Sequence, residues 1–338
     1  MRALFLEKNH CSAALVGIAA ALGVGLTIQP ASAQTVFFQT GFEASEGYSS
    51  TVSGPITIVD GTGNSATFNQ APGALIGQPS GNPYLYRFFE NSINPLDYAT
   101  AVQRAVNGTT VVNTSAASGS QSVQMEGSVI GDEYARYFPS QSYIAGTNAL
   151  FSVGADLKVT NPSVANYGQW GVNVLNTGPD GFLQSLAAIG FVGGNVLASS
   201  DGNTIYAAIS LTNFQPVTAA YGQFNNYSLT MDYGAQTIYG FFNNQQVGFI
   251  RLDASGTPVG SVVAGIPFLP TTGNNIGYVA FGQALARGSS ETANFDNFRI
   301  SGVNVTAAAP EPGTLALLGM GLLSTTGLAL RRRRSLVR

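Results

Sequence analysis

The sequence predicts an all-β fold, a sandwich or a barrel, and three observations predict it. Apolar and polar residues alternate with period 2 along about a dozen short stretches, the mark of strands with one face to a core and one to solvent. Turn-forming residues separate these stretches, and no amphipathic helical stretch of convincing length lies between them. Composition agrees: of 338 residues 41 are glycine, 10% are aromatic and only 9% are charged, so the chain turns often over a sizeable core and is neither a disordered tail nor a coiled coil.

In chain order the expected strands are Val36–Thr40, Pro55–Val59, Gln121–Met125, Tyr134–Phe138, Leu150–Val159 and Gln169–Leu175. They continue with Ala187–Val192, Thr204–Ser210, Tyr227–Asp232, Thr237–Phe242, Val247–Leu252, Ile276–Phe281 and Thr292–Ile300. The run Phe151, Val153, Ala155, Leu157, Val159 shows the alternation most cleanly. Asp60-Gly61, Asn107-Gly108, Pro179-Asp180-Gly181, Asp201-Gly202 and Asn243-Asn244 punctuate the chain, because these residues accept positive φ or preset a turn. Between Phe68 and Ser120 the pattern is less regular, with Pro72, Pro79, Pro83 and Pro95, and reads as long loops or an insertion. No repeat of fixed period emerges, which argues against propellers and solenoids.

The two ends read as addresses. Arg2 and Lys8, the apolar run Ala13–Ile28 and the small-x-small site Ala31-Ser32-Ala33 make residues 1–33 a signal helix cut by signal peptidase after Ala33. Residues 34–306 are then the β ectodomain and 307–314 a linker holding Pro310-Glu311-Pro312. Residues 315–330 are an apolar transmembrane helix, and 331–338 a basic cytoplasmic tail in which Arg331, Arg332, Arg333 and Arg334 stop transfer and fix orientation. Sixteen helical residues reach about 24 Å, short of a full bilayer core, so spanning relies on snorkelling or thinning.

With the ends set aside, 15 acids and 7 bases remain, a net charge of about −8. Nucleic acid is excluded as a partner, since phosphate contacts need a basic face. His10 and Cys11, the sole histidine and cysteine, leave with the signal. The ectodomain therefore has no Ser-His-Asp or Cys-His machinery, no imidazole or thiolate zinc site, and no disulfide. Its one lysine, Lys158, falls on the solvent face of its strand.

The closing segment, with Pro310-Glu311-Pro312, an apolar helix and an arginine cluster in that order, resembles the PEP-CTERM sorting signal of Gram-negative bacteria. That resemblance implies export through the inner membrane, transient anchoring, and processing by an exosortase that sends the protein to the cell surface or outside.

The body resembles the LamG-like, concanavalin A-like lectin and glucanase superfamily. The resemblance rests on Gly41-Phe42-Glu43, Gln121-Ser122-Val123-Gln124-Met125, the run Tyr227–Tyr233 with Gln236-Thr237-Ile238-Tyr239, and Asn294–Ile300. It implies a jelly-roll β-sandwich of two antiparallel sheets whose first and last strands lie side by side. Glu43 and Asp296 would then meet at the rim, where they would hold a structural Ca2+ or hydrogen-bond to turn backbone or to Arg299.

Hydrolases of this superfamily carry Glu-x-Asp-x-x-Glu on one strand face, and that motif is missing here. Asp132 and Glu133 are adjacent and point to opposite faces, and Glu43 and Glu46 flank a loop. The reading is therefore non-catalytic. Tyr167 and Trp170 follow Asn161 and Asn166, and Tyr227 follows Asn225-Asn226, an aromatic and amide mixture suited to sugar rings. Trp170 also alternates with Val172 and Val174 on one face, which favours a core tryptophan. The expected function is a surface or matrix protein that binds extracellular polysaccharide. The alternatives are a purely structural surface or adhesion protein and a carbohydrate-active enzyme.

Overall fold

The computed structural model describes residues 35–51, 53–59, 65–75, 78, 109–126, 134–137, 149–160, 169–177, 183–201, 203–268, 278–284 and 291–304. The expected signal helix and transmembrane helix lie outside these residues. Among the described residues no helix is long and apolar enough to cross a membrane.

Every described strand pair is antiparallel, and the period-2 stretches supply most of the strands. One half of the main sheet runs β4 (Thr109–Val112), β5 (Ser122–Glu126), β18 (Thr292–Asn304), β7 (Ala149–Thr160), β12 (Asn225–Asp232) and β13 (Thr237–Phe242). It continues without a break into β14 (Gln245–Leu252), β11 (Ile205–Ser210), β10 (Asn195–Ser199), β9 (Leu183–Val192), β8 (Gln169–Thr177), β17 (Tyr278–Ala284) and β6 (Tyr134–Tyr137). The sheet curls on itself, so that β7 packs on β8, β12 on β9 and β18 on β17. The result is the jelly-roll-like sandwich that the alternation and the turns require.

β1 (Thr35–Thr40) lies against β18, with Thr35 opposite Gly302 and Thr40 opposite Phe298. First and last strands are thus neighbours. β15 (Pro258–Val263) and β16 (Ile266–Pro267) pair with β14 and β13, and β2 (Gly54–Val59) with β3 (Ser65–Gln70) forms a separate hairpin.

Inward side chains of both layers close the core. Phe151, Val153, Ala155, Leu157 and Val159 face inward from β7, and Trp170, Val172 and Val174 face them from β8. Phe281 links the layers, with ring centroids 4.8 Å from Phe295 and 5.1 Å from Phe298. Each such ring contributes about 1.5–3 kcal/mol by leaving water, which makes a disulfide-free core sufficient.

Within 68–120, expected to be long loops or an insertion, the structure adds a strand, β4. Its first carbonyl accepts the Leu75 amide at 2.9 Å, and Thr109–Val112 pairs with β5. β10 and β15 also escaped the alternation rule. Asn195–Ser199 is buried at four consecutive positions and Pro258–Val263 is exposed at five of six, so neither shows period 2.

Candidate functional site

Three places gather polar chemistry: the rim where the chain's two motifs meet, a buried carboxylate under Trp170, and the outer face of the second layer.

At the rim the chain leaves β1 through Gly41-Phe42-Glu43 into a short turn of helix, Ala44–Glu46. Phe42 adopts φ 58, a strained conformation for a side chain with a Cβ. It is held there by burial, its ring 5.3 Å from Tyr48 and 5.6 Å from Phe281. Glu46 Oε2 accepts from the amides of Gly41 and Glu43, each at 3.0 Å, and from the Thr40 hydroxyl at 2.9 Å. The adjacent Glu43 carboxylate reaches the β4–β5 loop instead. Its Oε1 accepts the Ser120 and Gln121 amides at 2.8 and 3.1 Å, and its Oε2 accepts the Ser120 hydroxyl at 2.7 Å.

Asp296 grips the same loop from β18. Its Oδ2 accepts the amides of Ala117 and Ser118 at 2.8 and 3.0 Å, and its Oδ1 accepts the Asn297 amide at 2.6 Å. Asp296 is fully buried. Burial pushes its carboxyl above the usual range, the Ser118, Asn297 and Ala117 amides oppose that, and the Asp156 charge across the ladder adds to it. For Glu43 burial also acts upward, but the Ser120 and Gln121 donors win and hold it below the usual range.

Glu43 and Asp296 are therefore brought together, on either side of Gly41, whose added Cβ would lie 3.6 Å from Asp296 Oδ1 and from Glu43 Cγ. They clasp backbone. Six N–H and O–H donors already face these four oxygens. A calcium ion needs six to eight oxygens free to turn toward it, so this pair does not fit one. Among the described residues no group of three or more His, Cys, Asp or Glu gathers around a point.

Two of the three expected sugar-stacking rings are in the core, which corrects that expectation. Trp170 is fully buried, its centroid 6.5 Å from that of Phe295, and Tyr227 is buried with its ring 5.3 Å from Phe242. Burial pushes the Tyr227 hydroxyl well up. Both face inward with the apolar residues two places on, Val172 and Leu229, and a ring without a free face cannot stack on a sugar. Tyr167 lies outside the described residues, as do Asp132, Glu133, Ala31 and Ala33.

The buried carboxylate is Glu291, which sequence reasoning missed. Its Oε2 accepts the Trp170 indole N–H at 2.8 Å and its Oε1 the Tyr221 hydroxyl at 3.0 Å. Glu291 is fully buried, so it anchors the start of β18 under the tryptophan. A lone acid before an alternating run carries no signal of that role. Lys158, the solvent-face lysine, hydrogen-bonds the Ser115 hydroxyl and lies 5.3 Å over the Phe224 ring.

On the outer face of the second layer three glycines stand in register. Gly282 of β17 is opposite Gly171 of β8, which is opposite Gly190 of β9. A Cβ at Gly171 would meet the Ile189 carbonyl oxygen at 2.2 Å and one at Gly190 the Trp170 carbonyl oxygen at 2.1 Å, so glycine is required at both. The row leaves a small dip of about 10 Å³, lined also by Gln169, Asn173 and Ala188, with Gly190, Gly282 and Asn173 themselves buried. Asn173 Oδ1 accepts the Ser185 hydroxyl at 2.8 Å, which fixes the amide. The readable signal was a glycine inside each of three expected or extended strands.

Similar structures include a cellulose-induced protein, Cip1 (17% identity, 57% of this chain and 84% of that chain, TM-score 0.38). Another is the alginate lyase AlgAT5 of polysaccharide lyase family 7 (10% identity, 74% and 94% covered, TM-score 0.37). A third is a carbohydrate esterase of the Shiga toxin-encoding bacteriophage phi24B (12% identity, 57% and 86% covered, TM-score 0.37). Their activities stay with those proteins. No curated protein matches the chain. The tail is different in kind: residues 308–334, which contain Pro310, Glu311, Pro312 and Arg331 to Arg334, match the family described as the PEP-CTERM protein-sorting motif. The chain therefore ends in a PEP-CTERM sorting motif, which implies export and processing by an exosortase.

Proposed function

We propose that the chain is an exported surface or matrix protein whose sandwich binds an extended polysaccharide without cleaving it, along the glycine row of β17, β8 and β9. The observation that carries this reading is the glycine row itself. Gly282, Gly171 and Gly190 remove side chains along one line, and a flat chain of sugar rings needs such a line for close backbone approach. Gln169, half-buried beside it, supplies an amide group for hydroxyls. The lining has amides and glycines in place of the paired carboxylates that glycoside hydrolysis uses, which supports binding over chemistry.

Binding of the purified mature protein to a glycan array tests this, with Ala188→Trp as the variant that fills the dip from β9. Wild type is expected to bind one class of polysaccharide and the variant to lose it at least tenfold, with no new reducing or unsaturated ends released by either. If wild type binds no glycan, the protein is a structural surface component. If product accumulates, it is an enzyme.

A further inference from the structure

We infer that the rim formed by the start of β1 and the end of β18 is turned toward the membrane, and that the partner seated on it is the membrane-embedded enzyme that processes residues 308–334. The inference rests on the sorting motif being used as such. It follows from where the chain leaves the fold.

Thr35, the second residue after the expected signal cleavage, lies opposite Gly302, so the start of β1 and the end of β18 lie at one rim. β18 ends at Asn304, and the sorting match begins at residue 308. Four Cα steps at 3.8 Å span at most about 15 Å, and six steps, to Pro310, about 23 Å, whatever path the chain takes. That is less than the diameter of a small protein domain, roughly 30 Å. An enzyme that closes around Pro310–Pro312 therefore meets the sandwich before it reaches its target.

The rim suits such a meeting. β7 and β12 follow β18 in the sheet, so the β12–β13 turn lies about 10 Å from β18 at the same end, through the pairs Val303 with Leu150 and Leu150 with Asp232. That turn is set: the Asp232 carboxylate accepts the Ala235 amide at 2.8 Å, Gln236 adopts φ 52, and its carbonyl accepts the Phe268 amide at 3.0 Å. Its tip, Gly234 to Gln236, is exposed, and Val36 on β1 is a large apolar residue left 42% exposed. Asp232 is the one charged group in this set of residues, although the body as a whole carries a net charge of about −8. A rim with a single charge approaches an anionic membrane and a membrane enzyme with less repulsion than the remaining acids would bring.

β18 has 13 residues and spans roughly 43 Å, so Glu291, Trp170 beneath it and the glycine row next to Trp170 stand far from the tether.

The test places Val36→Glu and, separately, Ala235→Glu in the full-length chain, each with and without a 12-residue Gly/Ser insertion after residue 306. The host carries the sorting enzyme. Intact mass of the C-terminus over time gives the processing rate, and limited proteolysis of the same chains reports folding. Both acids should slow processing at least fivefold with the native spacing, leave the protease-resistant core unchanged, and lose their effect when the insertion lengthens the tether. Processing at the wild-type rate in both variants overturns the inference, as does a slowing that the insertion fails to relieve. A wild-type chain that keeps Arg338 overturns the sorting reading and this inference with it, whereas a processed wild type with indifferent variants overturns the inference alone.

Discussion

At the scale of single residues, the two motifs that mark this chain work as a clasp. Gly119 shows how tight it is: at φ 65, a Cβ there would sit 2.1 Å from Glu43 Oε1. The clasp has a pH signature whose two halves oppose each other. Glu43 is held below its ordinary value in the fold, so its contribution is present above the unfolded value, about 4.3, and is lost as pH falls through the lower folded value. Asp296 is raised, so its contribution is full below its unfolded value, about 3.9, and is lost as pH rises through the higher folded value. Glu43→Gln should therefore remove part of the wild-type stability loss between about pH 4.5 and pH 3, in urea midpoints taken at half-unit intervals. If wild type and variant show the same slope there, the Glu43 half of the clasp is energetically silent.

At the scale of elements, β18 organises the fold. Its first half pairs with β5, its second half with β1, and β7 lies along its other edge. The shift of register between Asp296 and Arg299, with Asn297 at φ 49, marks the changeover and aims Asp296 at the β4–β5 loop. The other end of β18 is anchored by Glu291 under Trp170. Trp170→Phe removes the indole donor from a buried carboxylate and leaves part of its volume empty, and should destabilise by about 2–4 kcal/mol. The measurement is the urea midpoint at unchanged slope. A tryptophan acting at the surface on a ligand would instead leave the midpoint where it was.

At the scale of the whole molecule, stability comes from an apolar core without a disulfide. Residues 34–306 contain no cysteine, and the rim carboxylates face N–H and O–H donors. The melting temperature of the mature protein should be the same in reductant, in EDTA and in excess calcium. A cation bound at 100 times its dissociation constant would add about 2.7 kcal/mol, enough to move the melt visibly, so a shift with calcium would mean that the fold holds a metal.

The sequence by itself determined the class of fold, the tail's address and the chemistry that the body lacks, because each is written locally. Alternation sets which side of a strand is apolar, so Val153 and Leu157 were readable as core, and a linear motif such as Pro310-Glu311-Pro312 needs no fold to be recognised. Only the tertiary structure decided what Glu43 and Asp296 hold, since their donors lie about 77 and 178 residues away along the chain. It also decided that Trp170 and Tyr227 are core: an aromatic beside amides looks alike on either face until the opposing layer covers it. The glycine row is the clearest case, because Gly171, Gly190 and Gly282 become one line only through the registers of β8 with β9 and β17, and register is a property of paired strands that no single strand carries.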